Sequence, residues 1–202
     1  MRLLIIGDSW EANWNVKHNN YIGWPNLLVN QFDVTNIAQA GVSQYKICKQ
    51  LESVNLDDYE FVIFGITSPF RIYTPNHPVH KQDELHSNSD LIYTDLEYHL
   101  RDNPTDNLKS TINFFHNHFD IEYAEFIHKL LIDWALSKLD KTKTIISSNI
   151  QNTKNFITND FIFLDGYEIS ASYPGLINHT SEQGNQIFAK EMIKYINEKV
   201  DK

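Results

Sequence analysis

Residues 3–9, LLIIGDS, constrain the fold more than any other stretch of this chain. An apolar run of four residues breaks at Gly7 into Asp8 and Ser9. A run this short, closed by glycine, predicts a strand buried on both faces that feeds a tight turn. Comparable stretches at Asp33–Ile37, Phe61–Phe64, Thr144–Ser147 and Phe161–Leu164 join Leu3–Ile6 as predicted core strands. Helical patterns lie between them. Pro25 opens one ahead of NLLVNQF, as first-turn prolines do, and Ser43 precedes another that runs to about Leu51. Over Ile121–Leu139, the spacing of Tyr123, Phe126, Ile127, Leu130, Leu131 and Trp134 predicts a broad buried stripe. The last helix, about Glu182–Lys199, is expected to bury Ile187, Phe188, Met192, Ile193 and Ile196. Such alternation predicts an α/β fold with a parallel sheet covered on both faces. Sheets of this kind carry their chemistry at the carboxyl ends of the strands.

The 202 residues suit a single domain, 1–202, with a sizeable core. A net charge of −9 without clustered Lys and Arg argues against a nucleic-acid partner. The single cysteine, Cys48, reads as a buried, inert thiol in a helix. The apolar run before Gly7 has only four residues, too few for a signal sequence or a membrane span. The expected location is cytoplasmic, with virion association as the alternative, and no membrane partner is expected.

Residues 73–118 break the alternation. They are polar, rich in Asn, Asp and His, and show no sustained period. A connection this long is usually functional, and it reads as a lid or a protein-binding insertion above the strand ends. His77, His80 and His86, with Asp83 between them, have metal-compatible spacing. The loop offers no evident scaffold for them, so solvated histidines and no metal are the expectation.

Acyl transfer requires a nucleophile, a base within reach and donors aimed at the developing oxyanion. Ser9 ends the first strand and His179 precedes the last helix. Gly41, after the second strand, lets the backbone approach closely and offer an amide. GITSPFR ends the third strand and places Thr67, Ser68 and Arg71 on the same rim. Each residue also has a structural reading. Ser9 could cap a helix, and His179 could be an exposed helix-start residue. Asp8 could bond turn amides, Thr67 and Ser68 could finish the turn before Pro69, and Arg71 could form an ion pair. Trp10, Trp14 and Trp24 could line a pocket or fill the core.

Taken together, these residues make the chain resemble an SGNH (GDSL-type) hydrolase along nearly its whole length. Gly7-Asp8-Ser9 is similar to the family's first block, Gly41 in NIAQAGVS to its second, Gly65-Ile66-Thr67-Ser68 to its G-x-N-D third and Leu176-Ile177-Asn178-His179 to its D-x-x-H last. YIGWPNLL resembles the helix after the family's nucleophile turn. The resemblance implies a flavodoxin-like three-layer α/β/α sandwich with about five parallel strands and a serine attacking an ester with histidine as base. The oxyanion would be held by the amides of Ser9 and Gly41, helped by Thr67 or Ser68. Asp8, Trp10 and Arg71 are expected on the substrate side, and neither metal nor organic cofactor is called for. Two positions depart from the pattern. The family's Asn is Thr67, and its acid before the histidine is Leu176, which leaves a Ser–His dyad or a triad completed by a displaced acid, Asp165 or Glu168. A TSPxR third block resembles divergent, phage-like members.

The expected function is hydrolysis of a small carboxylic ester, with an O-acetyl group on a carbohydrate as the favoured substrate. The alternatives are a non-catalytic binding or structural module on the same fold, for example a phage-particle or host-interaction protein, and acyl transfer to an acceptor other than water.

Overall fold

The computed structural model describes residues 1–14, 22–80, 86–157, 160–175 and 179–200. The elements in chain order are β1 (Arg2–Ile6), α1 (Trp24–Leu28), β2 (Asp33–Asn36), α2 (Gln44–Glu52), β3 (Phe61–Gly65), β4 (Arg71–Ile72) and β5 (Leu91–Ile92). There follow α3 (Tyr93–Asp102), α4 (Asp106–His118), α5 (Ile121–Leu136), β6 (Thr144–Ser148), β7 (Ile162–Asp165), α6 (Gly166–Ser172) and α7 (Glu182–Val200). Five strands form one parallel sheet in the order β2-β1-β3-β6-β7, the flavodoxin-like arrangement. The fold is a three-layer α/β/α sandwich, as the sequence predicts.

Strand periodicity divides the core. Successive side chains point to opposite sheet faces, so Leu4, Ile6, Val62, Phe64 and Ile146 pack with Ile47, Cys48 and Leu51 of α2 and Ile132, Ala135 and Leu136 of α5. Leu3, Ile5, Phe61, Ile63, Ile145 and Leu164 pack on the other face with Trp24 and Leu28 of α1 and Phe188, Met192 and Ile196 of α7. Cys48 is buried, its thiol pushed up to about 12 by that burial, which keeps it protonated and inert. Among the described residues, no helix is long and apolar enough to cross a membrane.

Two expectations need correction. The stripe predicted on α5 is half exposed: Tyr123, Phe126 and Leu130 are 65%, 60% and 48% exposed, while His128, Ile132, Ala135 and Leu136 face inward. Apolar residues occupy most of this helix's circumference, so period alone does not select the face. The neighbour does, with the Cys48 thiol of α2 3.5 Å from the Leu131 carbonyl. The segment after residue 73 is also no irregular loop. β4 and β5 pair antiparallel, and α3 and α4 enclose a small core of Leu96, Leu108, Ile112 and Phe115.

Register aligns the strand tips. Ile6 pairs with Phe64, Gly65 with Ser147 and Ser148 with Asp165. From β1 the chain adds β2 on one side and then β3, β6 and β7 on the other, so the crevice above the carboxyl ends of β1 and β3 is the topological switch point.

Candidate active site

A buried polar framework holds the turn after β1. Gln50 of α2 donates to the Gly7 carbonyl and accepts from the Gly7 amide, at 3.1 and 3.0 Å. Glu11 folds back beneath the turn, accepting from the Asp8 amide at 3.2 Å and from the Ser147 hydroxyl at 2.6 Å. Its carboxylate lies between the β1 and β3 tips. A Cβ at Gly7 or Gly65 would sit 2.3 or 2.4 Å from Glu11 Oε2, so neither position has room for a side chain. Burial, and then the charge of Asp8, raise the Glu11 carboxyl well above the ordinary carboxylate range.

Asp8 is itself enclosed. One carboxylate oxygen accepts the Trp10 amide at 2.8 Å, and the other takes the Thr67 hydroxyl and the Arg71 guanidinium, the latter at 2.8 Å. Arg71 also donates to the Val42 carbonyl at 2.9 Å. Asp8 and Arg71, expected on the substrate side, are thus partners of each other. The Thr67 hydroxyl is directed at Asp8 and its amide at Gln44, so it is not aimed at an oxyanion. Ser68 accepts the Phe70 amide at 3.2 Å in a turn. Trp10, also expected to face substrate, is 2% exposed and packs edge-on against Phe188 with ring centroids 5.1 Å apart. Its ring belongs to the core because α1 and α7 close over it.

Gly41 has φ +78°, a conformation that favours glycine, and its carbonyl accepts the Asp90 amide at 3.0 Å. Asp90 is fully buried. Its carboxylate accepts from the amides of Ser43 and Thr74, at 2.7 and 2.8 Å, and pairs with Lys46 at 2.8 Å. The chain just before β5 therefore borders Gly41 and ties the start of α2 to the insertion.

His179 arrives from the far side. Its carbonyl accepts the Gly175 amide at 2.7 Å, and the Thr180 hydroxyl and Ser181 amide both donate to the Tyr173 carbonyl at 2.7 Å. Asn185 of α7 binds the Trp24 amide at 2.9 Å, fixing this helix start against α1. The imidazole meets the Trp14 edge with centroids 4.9 Å apart, and the Trp14 indole N–H donates to the Ser9 carbonyl at 2.5 Å. Among the described residues no hydrogen bond joins Ser9 Oγ to His179. Burial brings His179 down to about 4, opposed by the charge of Asp8. Asp8 is the carboxylate acting on this ring. Asp165, the expected displaced acid, instead caps α6 by accepting the Tyr167 amide at 2.9 Å, and Glu168 is exposed in the same helix. Leu176, Asn178 and Asp83 lie outside the described residues.

Sequence reasoning missed Glu11, Gln44, Gln50, Lys46 and Asp90. Glu11 had one signal, as the only charged residue between Ser9 and Lys17. The others bond across long sequence separations that local patterns do not register.

Neither a protein-family model nor a curated protein sequence matches this chain. Among solved structures, it is similar to a presumed lipolytic protein of the G-D-S-L family from Desulfitobacterium hafniense DCB-2, at 13% identity and a TM-score of 0.47, covering 96% of this chain and 98% of that one.

Proposed function

We propose that this protein is a serine ester hydrolase of the SGNH type, with Ser9 as nucleophile and His179 as base. The observation that carries the reading is Trp14, whose indole N–H holds the Ser9 carbonyl while its ring edge packs against His179. One side chain thus sets the nucleophile turn beside the base. Apo sites often have long catalytic hydrogen bonds that tighten on substrate binding.

In the reaction, Ser9 Oγ attacks the ester carbonyl carbon and its proton passes to His179. The amides of Ser9 and Gly41 face the developing oxyanion, with Ser68 as a hydroxyl donor. The tetrahedral intermediate expels the alcohol, which takes the proton from His179. Water, deprotonated by His179, then releases the acid and restores Ser9. A ring brought to about 4 is neutral near pH 7, the protonation state a base needs. The favoured substrate is an O-acetyl group on a carbohydrate, in keeping with the SGNH resemblance and with the Trp14 and His86 rings, whose centroids lie 5.9 Å apart.

The test is labelling with a fluorophosphonate probe, read by mass spectrometry of the modified peptide, alongside hydrolysis of acetylated sugars. An adduct on Ser9, absent in Ser9→Ala and lost or strongly slowed in His179→Ala, supports the reading. Unchanged hydrolysis by Ser9→Ala overturns it. A folded protein with neither adduct nor hydrolysis favours a binding module.

A further inference from the structure

Two buried acids at the Ser9 turn share one cation. Glu11 and Asp8 are 1% and 2% exposed. Asp8 takes three donors, the Trp10 amide, the Thr67 hydroxyl and the Arg71 guanidinium. Glu11 takes two, the Asp8 amide and the Ser147 hydroxyl. Among the described residues no cation pairs with Glu11, and the buried Lys46 is committed to Asp90. Gly7 and Gly65 close on Glu11 Oε2, since a Cβ on either would stand 2.3 or 2.4 Å from it, so the strand ends hold the carboxyl in place. The Glu11 and Asp8 side chains lie within hydrogen-bonding reach of each other. Two ionised carboxylates so placed repel strongly, and such a pair retains a proton. Asp8 has the guanidinium, so the proton belongs on Glu11.

We propose that Glu11 is held as a neutral carboxylic acid whose O–H donates to the Asp8 carboxylate, and that this acid pair positions the Ser9 turn. One negative charge then remains between the two side chains, and Arg71 balances it. An O–H donating to a carboxylate makes a charge-assisted bond, stronger than a neutral one. A protonated carboxyl also keeps acceptor capacity for the Asp8 amide and the Ser147 hydroxyl. Burial and the charge of Asp8 both favour the protonated form. The charged and titratable groups facing the pair are Arg71 of β4 and His179 ahead of α7, both of which act on or through Asp8. From α2 come Gln44 and Gln50, and from β6 Ser147, none of which titrates near neutrality. The consequence for the reaction is electrostatic. An ionised Glu11 would place a second negative charge beside the oxyanion that forms at the Ser9 amide, and the neutral form adds none. Glu11 touches no reacting atom and acts through Asp8. Only this link to Ser9 rests on the esterase reading.

The test compares the full chain with Glu11→Gln, which keeps a neutral group able to donate, and with Glu11→Ala. Infrared difference spectra of parent against Glu11→Gln at pH 7 should show the C=O stretch of a protonated carboxylic acid. Carboxylate bands alone overturn the proposal. The unfolded chain ionises Glu11 near pH 4.5 and the folded chain does not, so the parent loses stability as pH rises above that value. Its unfolding constant should therefore rise about tenfold relative to that of Glu11→Gln between pH 6.5 and 7.5. A constant ratio overturns the proposal. Fluorophosphonate labelling of Ser9 at pH 7 should slow at least about tenfold in Glu11→Ala, the scale of a lost hydrogen bond to a charged group. Glu11→Gln should restore the rate to within about threefold of the parent. Equal loss in both variants overturns the positioning role. If Ser9 of the parent takes no label, the esterase reading fails, while the infrared band and the unfolding ratio still decide the acid pair. If Glu11→Ala does not fold, the labelling rate of Glu11→Gln decides the positioning role alone.

Discussion

The two sides of the candidate site are built by different physics. On the Ser9 side, buried polar groups fix one another: Gln50 holds both bonding groups of Gly7, Glu11 spans to Ser147, and Asp8 binds Trp10, Thr67 and Arg71. On the His179 side, a short backbone turn and an edge-on indole position the imidazole. Hydrogen-bond networks specify distance and angle closely but fail badly when a partner is lost. Ring contacts are less directional than hydrogen bonds and tolerate small displacements of the imidazole. Under the proposed mechanism, the Ser9 turn would be the more tightly specified partner and the His179 turn the less tightly specified one.

The largest break in this contrast is expected from Arg71→Ala. It leaves the Asp8 carboxylate buried without its cation, and should cost about 3–5 kcal/mol in denaturant unfolding. Gly7→Ala comes next. The added methyl meets Glu11 Oε2 at 2.3 Å, and its three nearest neighbours all belong to Glu11, for a loss of about 1–3 kcal/mol. Made in a Glu11→Ala background, the same change should cost markedly less, because the two positions are coupled. An additive pair would show that Glu11 does not fill the space between the strand tips.

The His179 side is sharpened by pH. Its ring, lowered by burial from 6.5 to about 4, stays neutral as pH falls through 6. Fluorophosphonate labelling of Ser9 should therefore hold steady from pH 7 to 5 and decline with a midpoint near 4, whereas a midpoint near 6.5 would mean that the ring is solvated. Burial lowers His128 in the same way. Between pH about 4 and 6.5 the unfolded chain binds protons that these folded rings refuse, so stability should fall as pH drops through that window and level off below it. His128→Gln should flatten part of the slope. The smallest effect is expected from Trp14→Phe, which keeps a ring beside His179 but removes the N–H bonded to Ser9. It should cost about 1 kcal/mol of stability, with slower labelling.

Much of this architecture was legible because the parallel strands other than the edge strand β2 centre on short apolar runs followed by glycine or a polar residue, a pattern that long-range contacts do not disturb. The positions of Ser9 just beyond β1 and of His179 just before α7 were legible for the same reason. Thr67 was misread because the sequence shows a hydroxyl and not where it points, and here it points at Asp8. The helices α3 and α4 were missed because each buries only a few residues against the other, too few to impose a period. Asp95 was missed as a neighbour of His77 and His80 because it comes from a helix that the sequence did not predict.

The Lys46–Asp90 pair bears on modularity. Residues 73–118 look like a detachable addition, yet the Asp90 carboxylate occupies the Ser43 amide at the start of α2 and the ammonium of Lys46. A shortened chain that excises residues 73–118 would strand the buried Lys46 without its carboxylate. One that removes only residues 93–118 and rejoins the ends after β5 would keep that anchor. The dividing line between scaffold and insertion therefore runs through the insertion itself, after Asp90 rather than before it.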